Sequence, residues 1–269
     1  MKLSRIATLS SSLLLAVGLA LTGAGAAQAA QQAASTDYVA LGDSYSSGVG
    51  SGSYDSSSGD CLRSTVAYPA LWAAAHSPSS FHFDACSGAR TGDVLNGQLS
   101  SLNASTDLVS LTIGGNDAGF ADTMTTCVLH SESTCLARIA TANGYIDSTL
   151  PGLLDQVYSA ITARAPAAHV VVLGYPRFYR LNGSCIAGLS ESERSAINAA
   201  SDHINQVTAK RAADHGFAFG DVISTFTGHE ICSSSSWLHS VNLFNLTESY
   251  HPTAAGQSGG YLPVLNAQD

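Results

Sequence analysis

The chain has 269 residues, with 11 Lys and Arg against 20 Asp and Glu and a formal net charge of −9. This acidic balance excludes a protein that binds nucleic acid, or an anionic membrane, through its bulk charge. Only 12% of the residues are charged, so serine, threonine, asparagine and glycine supply much of the polarity.

The first 29 residues have the composition of a secretory signal peptide. Lys2 and Arg5 form a short basic region, an apolar stretch follows, and Ala27-Gln28-Ala29 places small residues at the cleavage positions. The apolar stretch is too short for a transmembrane anchor. Cleavage would leave residues 30–269 as a single secreted domain. Its net charge would be −11, because Lys2 and Arg5 are lost and no acid is.

After the signal, strand patterns alternate with helical ones. Strands are predicted at residues 37–42, 81–85, 107–113, 169–173 and 216–219, and helices at 65–76, 138–164 and 190–215, with a closing helix from residue 253. Pro151 predicts a kink or a break within the second of these helices. Such alternation predicts a parallel sheet covered by helices on both faces. No linker or repeat divides the chain.

Side chains suited to acyl transfer follow two of the strands. Gly42-Asp43-Ser44 comes directly after the first strand, Gly114-Gly115-Asn116-Asp117 ends the third, and His251 stands near the C-terminus. The carboxyl edge of an open α/β sheet is where ligands bind. A serine hydroxyl needs a base to accept its proton, and histidine is the natural one. An asparagine amide can donate to the oxyanion that develops.

Each motif alone also fits a simpler interpretation. The serine could belong to a Ser/Gly turn, the asparagine could cap a turn, and the chain has nine histidines. Ser46 stands where the G-x-S-x-G nucleophile elbow has its second glycine, which argues against the ordinary α/β-hydrolase fold.

In order along the chain, the motifs resemble those of the SGNH (GDSL-type) hydrolases, above all the secreted actinobacterial lipases and phospholipases. The resemblance rests on Gly42-Asp43-Ser44, the glycine in Ala85-Cys86-Ser87-Gly88-Ala89, Gly114-Gly115-Asn116-Asp117 and Glu248-Ser249-Tyr250-His251-Pro252. It implies a three-layer α/β/α fold with a flavodoxin-like, mostly parallel five-stranded sheet. In that strand order the first and third strands flank the switch point, where ligands bind.

The resemblance also implies a function and a set of roles. The protein would be a secreted serine carboxylester hydrolase, a lipase or esterase, with phospholipase activity included among the candidates. Ser44 would form an acyl-enzyme, and His251 would act as general base and then as general acid. The oxyanion would be held by the Asn116 amide and by the backbone N–H groups of Gly88 and Ser44. The absence of a side chain at Gly88 is expected to let the substrate approach closely.

The group that orients His251 stays open between two candidates. The family usually has an aspartate three residues before the histidine, and here that position is Glu248. In some secreted relatives a backbone carbonyl does this job, which in this chain would be that of Ser249. We favour the carbonyl, because the more specific resemblance is to those relatives.

Other functions are compatible with the same residues. A transacylase or a carbohydrate deacetylase could use them, and a secreted binding protein could keep the fold without the chemistry. No cofactor or metal is expected, because no cofactor motif, C-x-x-C pair or calcium loop is present. The expected partner is a lipid or other acyl ester. We expect no nucleic acid, no stable membrane anchor and a monomer; the ester class and chain length stay open.

Six cysteines in an exported chain predict disulfides. Fifteen pairings are possible from spacing alone. The family resemblance favours pairing between neighbours in the sequence, so that each bridge pins one loop. The expected pairs are Cys61–Cys86, Cys127–Cys135 and Cys185–Cys232.

Overall fold

The computed structural model shows the three-layer α/β/α fold that the sequence predicts. It describes residues 36–183, 185, 188–242 and 245–269. The predicted signal peptide, residues 1–29, lies outside the described residues. The same holds for the first residues of the predicted domain, 30–35.

The sheet has five parallel strands in the described part of the chain, in the order β2-β1-β3-β4-β5. The strands are β1 Asp37–Gly42, β2 Ser80–Phe83, β3 Leu108–Thr112, β4 His169–Leu173 and β5 Ala218–Gly220. This is the predicted flavodoxin-like order. β1 and β3 are buried almost throughout because helices cover both of their faces. Gly42 pairs with Thr112, so the two strands end at the same edge of the sheet.

The helices within the described ranges are α1 Ser44–Ser47, α2 Tyr68–His76, α3 Thr91–Asp93, α4 Phe120–Leu129, α5 Glu132–Ser148, α6 Leu150–Arg164, α7 Glu191–Asp214, α8 Ile223–Phe226 and α9 Leu262–Gln268. α2 and α9 pack on each other at one face of the sheet, and α5, α6 and α7 pack together at the other. Apolar side chains of both layers meet those of the strands in one continuous core.

The structure refines the predicted helices. The break predicted at Pro151 is confirmed: the region over residues 138–164 is two helices, and Pro151 lies in the first turn of α6, where its missing N–H costs no hydrogen bond. The first of the two begins earlier than predicted, at Glu132. The predicted closing helix is confirmed: the chain is helical from residue 254, passes through π-helical turns at Gly256–Tyr261 and continues as α9. α4 was not predicted, although Phe120, Met124, Cys127 and Val128 recur at helical spacing.

Three disulfides join the cysteines in the pairs that the resemblance favours: Cys61–Cys86, Cys127–Cys135 and Cys185–Cys232. The second closes the connection between α4 and α5, and the first ties the loop after α1 to the loop after β2. Among the described residues, no helix combines the length and the apolar character that crossing a bilayer requires.

Candidate active site

Ser44 is the first residue of α1, directly after the turn that ends β1. Gly42 has φ +120°, and a Cβ there would lie 2.5 Å from the Thr112 carbonyl oxygen, so only glycine fits. The Asp43 side chain caps α1 by accepting the Tyr45 N–H at 3.0 Å. The turn therefore presents Ser44 at the carboxyl edge of the sheet.

Ser46 shows why the nucleophile elbow pattern fails here. Its hydroxyl contacts the Tyr68 hydroxyl at 2.8 Å and accepts the Thr112 N–H at 2.9 Å. A glycine at this position would lose both bonds, of which the first attaches α1 to α2 and the second attaches α1 to β3. The residue two places after Ser44 therefore holds the helix in place.

His251 lies beside Ser44. Its Nε2 is 2.7 Å from Ser44 Oγ, and its Nδ1 is 3.0 Å from the Ser249 carbonyl oxygen. A carbonyl can only accept a hydrogen bond, so Nδ1 must carry the proton and Nε2 must be the acceptor. This is the tautomer that can receive the Ser44 proton.

The backbone at Tyr250 brings the Ser249 carbonyl to the imidazole. Tyr250 has φ +68°, an uncommon conformation for a bulky residue, and it turns the chain between Ser249 and His251. Tyr45 holds the turn by donating its hydroxyl to the Tyr250 carbonyl at 2.7 Å, and Tyr179 donates to the Tyr250 hydroxyl at 3.2 Å. These tyrosines were not predicted as part of the site.

Glu248, the other candidate partner of His251, bonds elsewhere. Its carboxylate accepts the Tyr54 hydroxyl at 3.0 Å, and the Tyr54 oxygen in turn accepts the Gly50 N–H at 2.9 Å. Of the two predicted alternatives, the Ser249 carbonyl is the one that the structure brings to Nδ1 of His251.

The loops that carry Gly88 and Asn116 are joined to each other. Asn116 donates one N–H of its amide to the Ala89 carbonyl at 3.0 Å. The Asp117 carboxylate accepts both the N–H and the hydroxyl of Thr91, the latter at 2.6 Å. One N–H of Asn116 therefore fixes the Gly88 loop, while its second N–H is available to a ligand.

Gly88 meets a constraint of its own backbone, and the expected close approach of the substrate stays a prediction. Its φ is +76°, in the left-handed region that favours glycine, whereas no atom lies within 4 Å of the place that a Cβ would take. The backbone conformation, and not crowding by neighbours, is the constraint that the structure reveals.

Tyr175 connects the serine turn to the Asn116 loop. Its hydroxyl donates to Asp43 Oδ2 at 2.5 Å and accepts the Gly115 N–H at 3.1 Å. Burial raises the pKa of Tyr175 well above its ordinary value, so the hydroxyl stays protonated. Tyr175 follows β4, the neighbour of β3. Its position at the carboxyl edge of the sheet is the signal that could have identified it as a site residue.

One cavity of about 560 Å³ contains Ser44, Gly88, Asn116 and His251 along its lining. Its volume is in the range of small-molecule binding sites. Helices α4, α5 and α7 supply apolar walls, formed by Met124, Ile139, Ala142, Ile146, Ile197 and Ile204. The four predicted site residues thus meet at one end of a mainly apolar space.

The profile of the GDSL-like Lipase/Acylhydrolase family matches residues 40–258. The chain belongs to this family. Lipase 1 of Streptomyces coelicolor is 73% identical over 266 residues, which cover 99% of each chain. The predicted membership among the SGNH (GDSL-type) hydrolases is therefore confirmed.

Two crystal structures of similar proteins share the fold closely. An extracellular lipase from Streptomyces rimosus is 73% identical with a TM-score of 0.86, covering 87% of this chain and 100% of that one. Phospholipase A1 from Streptomyces albidoflavus is 69% identical with the same TM-score, covering 88% of this chain and 100% of that one. As a member of this family, the chain is a carboxylic ester hydrolase, as predicted.

Burial governs the charges in this hydrolase site. It lowers the pKa of His251 to about 4, although the hydrogen bond to Ser249 acts in the opposite direction. Burial raises the pKa of Asp43 to about 6, against the hydrogen bonds from Thr112, Tyr175 and the Tyr45 N–H. Within the described residues, no cluster of His, Cys, Asp and Glu could hold a metal ion.

The lowered pKa of His251 predicts that activity persists at mildly acidic pH. Only the neutral imidazole can accept the Ser44 proton, and its neutral fraction falls as the pH drops through the pKa. For a soluble ester, kcat/KM should stay level from about pH 7 to about pH 5 and fall about tenfold per unit below about pH 4. A pH profile on purified protein measures this. A fall that begins near the ordinary histidine pKa would contradict it. Asp43→Asn removes the other group with a shifted pKa. Its rate should fall, because Asp43 caps α1 and accepts from Tyr175, but the pH at which the limb begins should not move.

Glu248→Gln should lower kcat less than about tenfold, because the carboxylate bonds Tyr54 and adds only a screened field at the imidazole. Tyr54→Phe removes the same hydrogen bond from the other side and should have a similarly small effect. Steady-state kinetics of both variants test this. A loss of about a thousandfold or more in Glu248→Gln, with the fold preserved, would make the carboxylate the partner of His251.

Proposed function

We propose that the protein is a secreted hydrolase of long-chain acyl esters in which Ser44 is the nucleophile and His251 the general base. The observation that carries the proposal is the 2.7 Å contact between Ser44 Oγ and His251 Nε2 at one end of an apolar cavity. The contact lies within the range that proton transfer requires. The cavity offers an acyl chain an apolar environment away from water.

In the first half of the reaction, Ser44 Oγ attacks the ester carbonyl carbon while its proton passes to His251 Nε2. The carbonyl π electrons move to oxygen, and the oxyanion accepts hydrogen bonds from the Asn116 amide and the N–H groups of Gly88 and Ser44. The Ser44 N–H is free for this role because the first N–H of a helix has no acceptor within that helix. The tetrahedral intermediate then collapses, and the alcohol leaves with the proton from His251.

In the second half, water hydrolyses the acyl-enzyme. His251 Nε2 accepts a proton from water, whose oxygen attacks the acyl carbon, and the same donors hold the second oxyanion. When the Ser44–acyl bond breaks, the proton returns to Ser44 Oγ and the carboxylic acid is released. The Ser249 carbonyl stabilises the imidazolium in both halves by accepting the Nδ1 proton.

We propose further that residues 1–29 are removed as a signal peptide and that residues 30–269 function outside the cell. Three disulfides support export to an oxidising environment. The Streptomyces rimosus relative is described as an extracellular lipase. The apolar walls do not favour a carbohydrate deacetylase, because sugar hydroxyls need polar partners when they are bound.

Covalent labelling tests the proposed nucleophile. A fluorophosphonate probe should label the purified wild-type protein at Ser44, as identified by peptide mass spectrometry. Ser44→Ala should abolish the labelling, while Ser47→Ala, a buried serine one turn further along α1, should retain it. Labelling of Ser44→Ala at the wild-type rate would place the nucleophile elsewhere.

A panel of esters tests the substrate class. Triacylglycerols, phosphatidylcholines and aryl esters of increasing acyl length should be hydrolysed with kcat/KM that rises with chain length until the cavity is filled. Acetylated sugars serve as the comparison and should be poor substrates. A preference for the acetylated sugars would favour the deacetylase instead.

A further inference from the structure

Two leucines protrude into solvent at the mouth of the catalytic cavity. Leu129 is 69% exposed and Leu246 is 66% exposed, and no other large hydrophobic residue in the described ranges is comparably exposed. Isolated exposed leucines are common on protein surfaces. Here both line the same cavity, although they lie on segments far apart in sequence. We call these two side chains the leucine rim.

Both residues of the leucine rim are held on fixed segments. Leu129 ends α4 and lies inside the short loop closed by the disulfide Cys127–Cys135. Leu246 begins a 3₁₀ turn, Leu246–Glu248, whose last residue accepts the Tyr54 hydroxyl. A backbone segment that is already ordered loses less conformational freedom when its side chains bind, which favours affinity.

The segments that hold the leucine rim are poor in positive charge. Residues 118–137 and 238–254 contain three acidic side chains and no Lys or Arg, and Arg138, the next residue, donates to the Gly119 carbonyl. The exposed residues that line the cavity are all uncharged: Gly88, Ala121, Thr125, Leu129, Leu246 and Thr247. This region would therefore repel an anionic lipid surface, whereas a lipid surface without net charge would not be repelled.

We propose that the leucine rim docks the protein reversibly on the surface of a zwitterionic lipid aggregate. Leu129 and Leu246 enter the apolar layer beneath the headgroups, and this brings the mouth of the cavity against the aggregate. An acyl chain can then pass from the aggregate to Ser44 without crossing water, which removes the hydrophobic cost of extraction. The inference rests on the proposed function, since the cavity is taken to receive the acyl chain.

Vesicles of ether-linked phosphatidylcholine test the docking without hydrolysis, because these lipids contain no carboxylic ester. Wild-type protein should float with the vesicles at about pH 8, where histidines are neutral. Leu129→Ser/Leu246→Ser should reduce the partition coefficient by about tenfold or more. Leu153→Ser, on α6 and outside the cavity lining, is the control and should bind like the wild type. Adding ether-linked phosphatidylglycerol should weaken binding by the wild type.

Equal binding by the double variant and the wild type, or no binding by the wild type, would overturn the proposal. Stronger binding to the anionic vesicles would overturn the choice of surface. Circular dichroism and fluorophosphonate labelling of Ser44 show whether the double variant is folded.

A second measurement does not depend on loss of binding. Leu129→Trp adds a tryptophan at the rim. The two native tryptophans of the chain are the buried Trp72 and the partly buried Trp237. Its emission should shift to the blue when vesicles are added, relative to the same titration of the wild type. An unchanged emission at a vesicle concentration that binds the protein would place the contact elsewhere.

The failure of the docking proposal can be distinguished from failure of the proposed function. Hydrolysis of a soluble short-chain ester by the wild type reports on the chemistry and needs no vesicle. Flotation with ether lipids reports on docking and needs no chemistry. Hydrolysis without flotation therefore refutes only the docking, whereas flotation without hydrolysis refutes the proposed function.

Discussion

Ser44→Ala and His251→Ala should each lower kcat by about 10⁴-fold or more, and the double variant should be no worse than either single variant. The serine is a poor nucleophile unless Nε2 accepts its proton, and the histidine has no task without the serine. The 2.7 Å contact makes the pair one functional unit. The residual rate should come from the oxyanion donors and from substrate binding. Steady-state and single-turnover kinetics on a soluble ester measure all three variants.

Two substitutions at other positions are the controls for this comparison of single and double variants. Ser47→Ala removes a hydroxyl from the same short helix, and His82→Ala removes an exposed imidazole from β2. Both should hydrolyse the ester at nearly the wild-type rate, and all variants should melt at similar temperatures. Losses that multiply in the double variant would mean that Ser44 and His251 act independently, which contradicts the proposed mechanism.

Asn116→Ala should lower kcat by about 10²–10³-fold and leave KM nearly unchanged, because in the proposed mechanism its amide stabilises charge that exists only on the oxyanion. The structure supplies a second reason for a large effect. The same amide donates to the Ala89 carbonyl and thereby positions the Gly88 loop. The substitution removes one oxyanion donor and releases the loop that carries another. Kinetics with a soluble ester measure the two parameters separately.

Asn96→Ala is the matched control for this variant. Asn96 is exposed and donates only to the Gly92 carbonyl within its own turn, so its loss should leave kcat and KM unchanged. A rise in KM without a fall in kcat for Asn116→Ala would make Asn116 a substrate-binding residue and leave the oxyanion without this donor.

Local sequence signals predicted the sheet edge of this site well. A strand that ends in a glycine turn is visible within ten residues, and Ser44 and Asn116 each follow one. Parallel strands align their carboxyl ends, so two such turns on neighbouring strands come together whatever the loops between them do. The family resemblance supplied the pairing of the first and third strands and the positions of Gly88 and His251, because the sequence alone shows only that strands alternate with helices.

The cavity could not be predicted in this way. Its walls come from α4, α5 and α7, and α4 itself was not predicted although Phe120, Met124 and Cys127 follow a helical interval. Which helical faces meet depends on packing between elements that are distant in the chain. The leucine rim has the same origin: nothing near Leu129 in the sequence indicates that Leu246 lies at the same mouth.

The sequence by itself determined the fold class, the order of the motifs and the chemical types of the site residues, since these depend on local patterns. Only the tertiary structure decided which group faces the imidazole. The Ser249 carbonyl reaches Nδ1 because Tyr250 is held at φ +68° by Tyr45, 205 positions away in the chain. A choice between two candidate partners that are adjacent in sequence thus depended on a long-range hydrogen bond, which no local pattern encodes.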